Sequence, residues 1–174
     1  MTKKQPASAP ATEHSLRSSY RESVLEHLFV GEVMKHLWLN QVSIEVLKPQ
    51  VDDAGYDLVF EAKGIVRHVQ LKSSYSGAKT SRVNVSLDLG NKPSGCVIWL
   101  WFNPGTLELD SFRWFGSGPG TQLPSIAKFK VAKHTKGNAL GSKGDRPNLR
   151  VIPKKPFKTF KTIAELIHEL FGPL

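Results

Sequence analysis

Apolar residues recur at steps of one, three and four from residue 15 to about residue 39, through Val24, Leu25, Leu28, Phe29, Val33, Leu37 and Trp38. That period predicts a helix with one buried stripe, started by Ser15 or Ser18 and carrying Glu22 and Glu26 in its early turns. The pattern then changes to alternation. Residues 42–47 read as a first strand ended by Pro49, and residues 56–61 and 65–73 as two more, joined at Lys63-Gly64. A two-residue hairpin there sets Ala62 opposite Ile65 and therefore Asp57 opposite Gln70, while a three-residue loop with a bulge shifts the register by one. Side chains alternate along a strand, so Gln70 and Lys72 share a face and Val69 and Leu71 take the other.

Residues 83–90 suit a short strand or a helix, and residues 96–102, CVIWLWF, form the most apolar strand of the chain, followed by Asn103-Pro104-Gly105 and a partner strand at 107–115. Trp99 and Trp101 fall on one face of that strand with Val97. Because its other face is apolar too, both tryptophans are expected in a core beneath a helix rather than as a platform for bases. Beyond Lys133 the chain turns polar and Gly-rich, with a short strand at 149–153. It closes on a helix that opens with a capping box, Thr162 to Glu165, and stops at Gly172.

Composition narrows this picture. A chain of 174 residues with 40% hydrophobic content fits one α/β domain with its own core. A single cysteine, Cys96, rules out an internal disulfide framework and a Cys-rich zinc site, which makes a reducing, cytoplasmic setting the expected one. The longest nearly apolar run, residues 96–102, falls far short of the roughly 20 residues a bilayer span needs. Residues 1–14 are polar and rich in Pro, Ala and Ser, which reads as a flexible tail. Charge adds more. Residues 1–120 hold 13 basic and 12 acidic side chains, whereas residues 121–161 hold 11 basic and one acidic, so the net charge of +9 is a regional property. The expected division is a core at 15–120, a basic loop-rich extension at 121–161 and a C-terminal helix at 162–174 packed on the core. Such an extension fits a polyanionic partner, with Lys128, Lys130, Lys133, His134, Lys136, Lys143, Arg146 and Arg150 as its charges.

The candidate chemistry sits at residues 52–74. Asp57 inside a strand is disfavoured without a partner or a metal. Facing a Gln-x-Lys strand across a hairpin, it assembles what metal-dependent phosphodiester hydrolysis requires: hard oxygen donors from Asp57, the Gln70 amide and the Leu71 carbonyl, and a cation, Lys72, for the developing charge. Asp52 and Asp53 read as turn residues, and His27, His36 and His68 lack metal-ligand spacing. Ser73 and Ser74 either hold a phosphate oxygen or end the strand. Lys79 and Arg82 either reach a phosphate backbone or line a solvated loop.

These residues resemble the PD-(D/E)XK phosphodiesterase, or restriction-endonuclease-like, superfamily in a Gln-x-Lys variant, over about residues 18–102. The resemblance implies a mixed sheet flanked by helices, in the order helix, three-strand meander, helix, strand. It also implies Mg2+ or Mn2+ as cofactor, nucleic acid as partner with DNA ahead of RNA, no membrane, and by analogy a homodimer. Its catalytic set falls on Glu32, Asp57, Gln70 and Lys72, with Glu32 preferred to Glu26 by its distance from the first strand. A neutral Gln70 in place of a second carboxylate weakens cation binding or makes it depend on substrate. Two alternatives therefore stay open: a binding module that has lost hydrolysis, and a protein-interaction or ribosome-associated factor.

Overall fold

The computed structural model describes residues 17–51, 53–135 and 142–174. The tail at 1–14, Ser15, Asp52 and Lys136 lie outside the described residues. Helix α1 (Ser18–Leu39) buries Leu25, Phe29, Val33 and Leu37, an i, i+4 stripe that keeps one line of the helix against the sheet. The expected serine cap is not what starts it. Ser18 is already helical, and the N-cap position is Arg17 with no side-chain capping bond.

The expected first strand shortens to β1 (Glu45–Leu47), because only Glu45, Val46 and Leu47 find partners on the neighbouring strand. Strands β2 (Leu58–Ala62) and β3 (Ile65–Tyr75) form the hairpin at the expected register, with Ala62 opposite Ile65 and Leu58 opposite Val69. Lys63 and Gly64 both take positive φ, 55° and 72°, the backbone of a tight two-residue turn whose twist matches the flanking strands. No bulge intervenes, so the conditional register is the observed one.

The link between β3 and the next strand of the sheet departs from expectation. The resemblance implies a helix there. Instead the chain forms β4 (Arg82–Ser86), a single 3-10 turn at Asp88–Asn91, and then β5 (Gly95–Phe102), parallel to β3. Val83 and Val85 alternate with Arg82, Asn84 and Ser86, a period of two that suits a half-buried strand and gives a helix no continuous stripe. Next come β6 (Leu109–Gly116), β7 (Val131–Lys133), β8 (Asp145–Pro153), β9 (Lys158–Phe160) and α2 (Ile163–Phe171).

Two sheets result. The larger is mixed, in the order β1-β2-β3-β5-β6-β9, and the smaller is antiparallel, in the order β4-β8-β7. The α/β mixed-sheet class is as expected, but the helices do not flank the sheet on both sides. Both α1 and α2 pack on one face, where Phe29, Val33, Leu166 and Phe171 meet Phe60, Val69, Ile98 and Phe112. The small sheet covers the other face. There Val83, Val85, Ile152 and Phe157 lie over Val97, Trp99 and Trp101, so the tryptophans are core residues beneath a sheet rather than a helix. Residues 121–161, expected as a loop-rich extension, are therefore part of the body. They supply β7, β8 and β9 and bury Leu123, Ile126, Ile152 and Phe157, an apolar set spaced too widely to register as an element in the sequence.

At the end of the chain the capping box forms as read: Thr162 Oγ1 accepts the Glu165 N–H, and Glu165 accepts the Thr162 N–H. Arg67, fully buried on β3, donates to the carbonyls of Glu169 and Leu170 in the last turn of α2 and to that of Ser117. A cation suits a helix C-terminus, and here it ties α2 to the sheet. No helix among the described residues is long and apolar enough to cross a membrane.

Candidate active site

Strand β3 runs past the point where β2 stops pairing with it, and the extra length builds the site. Asp57, just before β2, donates its N–H to the Val69 carbonyl at 2.8 Å, one residue out of the ladder register in which Val69 faces Leu58, so the regular pairing ends there. Its carboxylate then continues the ladder in place of main chain: Oδ2 accepts the Leu71 N–H at 2.6 Å. The N–H and C=O of one strand residue point to the same side, so the Leu71 carbonyl opens toward Asp57 as well. Gly55 brings this segment against β4. Its φ is +77°, and a Cβ there would stand 2.6 Å from Ser86 Cβ, so glycine alone fits. Ser86 in turn donates its N–H to Gln70 Oε1 at 3.3 Å, which fixes the amide of a side chain only 7% exposed.

Around these groups lies a cleft of about 970 Å³. Asp57, Gln70, Leu71 and Lys72 line it from the sheet, and Ser19, Glu22, Ser23 and Glu26 from the first turns of α1. The second sheet closes the opposite side with Asn84, Ser86 and residues 145–149, together with His134. Its lining holds six carboxylates, Glu22, Glu26, Asp53, Asp57, Asp88 and Asp145, against three full cations, Lys48, Lys72 and Arg146. A cleft of that balance attracts a cation first and an anionic substrate only with one.

Three of the four expected catalytic residues thus share one cleft, and the fourth does not. Glu32 is exposed, lies 3.7 Å from Lys35 Nζ one turn along, and does not line the cleft. The helix period explains the correction. Glu32 precedes Val33 while Glu26 follows Leu25, so at about 100° per residue the two fall on opposite flanks of the stripe. Glu26, four residues after Glu22, is the acid on the cleft side, and it pairs with Lys48.

The expected substrate-binding residues separate in the same way. Ser73, Ser74, His134 and Arg146 line the cleft. The Ser74 hydroxyl accepts the Trp99 indole N–H at 3.0 Å, so it braces the core as well. Lys79, Arg82, Lys130, Lys133 and Lys143 stand outside the lining, with Lys133 4.0 Å from Asp145. His68 bonds the Pro93 carbonyl and stacks edge-on against Tyr56, away from the cleft. Sequence reasoning missed Asp88 and Asn148. Asp88 Oδ2 accepts from Ser86 Oγ and from Asn148 Nδ2, and so links β4 to β8 beside Gln70. Sixty residues separate that pair, and no local pattern announces it. The i, i+4 relation of Glu22 and Glu26 puts the two acids on one flank of α1, but does not say which flank meets the cleft.

Residues 30–93 match the family model described as PD-(D/E)XK endonuclease. The resemblance read from the sequence holds. The matched segment contains Asp57, Gln70, Leu71 and Lys72, and over those residues the chain is similar to PD-(D/E)XK endonucleases. Glu22, Glu26 and everything after residue 93 lie outside it. Among solved structures, a bacterial homing endonuclease, I-Ssp6803I, matches at 21% identity over 70% of this chain and 82% of that one, with a TM-score of 0.34. No curated protein matches.

Proposed function

We propose that the cleft hydrolyses phosphodiester bonds of nucleic acid, DNA before RNA, with Mg2+ or Mn2+ as cofactor. The observation that carries this reading is the meeting of Asp57, Gln70, the Leu71 main chain and Lys72 in one net-acidic cleft. The donor chemistry fits such an ion. Asp57, the Gln70 amide oxygen and the Leu71 carbonyl are hard oxygen donors, and Glu26 adds a second carboxylate from α1. When bound, the ion supplies charge neutralisation at the phosphate and a more acidic attacking water. The chain's own residues do the rest. The Leu71 N–H orients the Asp57 carboxylate, and the Ser86 N–H orients Gln70. Lys72, two positions on from Gln70 and on its face, answers the negative charge that grows on phosphorus oxygens in the transition state. In this reading His134, Arg146 and Ser73, which line the cleft, contact the backbone there, and Lys79, Arg82, Lys130, Lys133 and Lys143 hold it farther out.

Single-turnover cleavage of end-labelled DNA and RNA duplexes, with and without Mg2+, tests this. The wild type is expected to cut DNA only with the ion, and Asp57→Ala and Lys72→Ala to lose about 100-fold or more in rate while melting as cooperatively as the wild type. Equal cleavage by all three chains would remove the cleft from the reaction.

One observation favours a second reading, a binding module without hydrolysis. Among the described residues no three His, Cys, Asp or Glu side chains gather as a ready metal cage. That reading predicts salt-sensitive nucleic-acid binding that neither Mg2+ nor Asp57→Ala alters.

A further inference from the structure

Lys48 follows β1 directly and reaches α1, where its Nζ lies 2.5 Å from Glu26 Oε1. The two partners are unequal. The Glu26 side chain is 18% exposed and that of Lys48 59%, so the carboxylate is recessed in the cleft wall while the ammonium stands toward solvent. Both line the same cleft as Asp57, Gln70, Leu71 and Lys72. A recessed carboxylate is costly without a counter-charge, and in the ion-free cleft Lys48 supplies it.

We infer that Lys48 is a resident counter-ion that competes with the divalent cation for Glu26, and so sets how tightly the cleft takes its metal. This rests on the proposed function and adds a control on cation occupancy that comes from the end of β1. Lysine suits the task. Its ammonium is a point charge on a flexible stem and leaves a carboxylate without breaking a bidentate fork. Pro49, next in the chain, restricts the main chain, so exchange is a side-chain movement. Lys48 touches neither substrate nor reacting atoms. It is a positioning residue acting through Glu26.

The test is Mn2+ binding to the full chain by titration calorimetry, paired with thermal melts with and without Mn2+, for the wild type, Lys48→Gln, Lys48→Arg, Glu26→Gln and the Lys48→Gln/Glu26→Gln double variant. Lys48→Gln is expected to bind Mn2+ about five- to tenfold more tightly and to gain more in melting temperature from the ion. Lys48→Arg should bind no more tightly than the wild type, because the charge is kept and a guanidinium fork holds a carboxylate at least as firmly. In the Glu26→Gln background, Lys48→Gln should change nothing. Unchanged or weaker binding by Lys48→Gln, or a gain that persists without Glu26, overturns the inference. Wild-type binding that Asp57→Asn abolishes keeps the proposed function standing in either case. Absence of Mn2+ binding in both the wild type and Lys48→Gln overturns both readings.

Discussion

Glu26 and Glu32 are six positions apart on one helix, and that spacing decides which of them lines the cleft. Glu26→Gln should lower both Mg2+-dependent cleavage and cation affinity, whereas Glu32→Gln should leave both as in the wild type; parallel cleavage and titration assays of the two variants check this. The Asp57, Gln70 and Lys72 trio was legible in the sequence because a two-residue turn at Lys63-Gly64 fixes it locally. Glu26 was not, because the phase of a helix stripe says which residues border the core, not which border faces a cleft. Arg67 was equally hidden. Its neighbours Val66 and Val69 read as ordinary strand positions, yet its guanidinium donates to three main-chain carbonyls in the core. Burial lowers its pKa, and the nearby Cys96 and Glu169 work against that shift. Arg67→Met should destabilise the fold by about 3 kcal/mol, read as a lowered denaturation midpoint, since it leaves three carbonyls around the end of α2 without their donor.

At the scale of elements, residues 121–161 are part of the folded body as well as the most basic stretch of the chain. Deleting them would uncover Val97, Trp99 and Trp101 and remove two of the three strands of the small sheet, so the truncated chain is expected to unfold rather than merely bind less well. Residues 83–90 were readable as strand or helix because the alternation of β4 is only five residues long, and the partner that fixes it as a strand, β8, lies far along the chain. Helix α2 was read correctly because its cap is local. There the Lys161 and Thr162 N–H groups hold the Glu165 carboxyl below its ordinary value of 4.5. A depressed carboxylate stabilises the fold fully above its unfolded pKa, and that contribution is lost as pH falls through the folded one. The melting-temperature advantage of the wild type over Glu165→Gln should therefore be present near neutral pH and fade as pH falls below the ordinary carboxyl value of 4.5. Thr162→Ala, which removes the reciprocal half of the box, should cost about 1 kcal/mol at neutral pH.

Over the whole molecule, charge is divided by location. The body carries an excess of cations on residues 121–161, whereas the cleft they border is lined by six carboxylates and three full cations. In the proposed function the outer cations hold a polyanion and the inner acids hold its metal, so the two roles are separable by substitution. Replacing Lys130, Lys133 and Lys143 by Gln should weaken nucleic-acid binding and flatten its dependence on salt, by about 0.9 in log-log slope for each phosphate no longer neutralised. The melting temperature and Mn2+ affinity should stay near those of the wild type, because none of the three side chains belongs to the core or lines the cleft. Asp57, Gln70 and Leu71 are proposed to hold a divalent cation beside Lys72. Anomalous diffraction from a crystal grown with Mn2+ tests this most directly. A peak within coordination distance of Asp57 and Gln70, abolished by Asp57→Ala, is expected; a peak only elsewhere in the molecule, or one that survives the substitution, would contradict the proposed site.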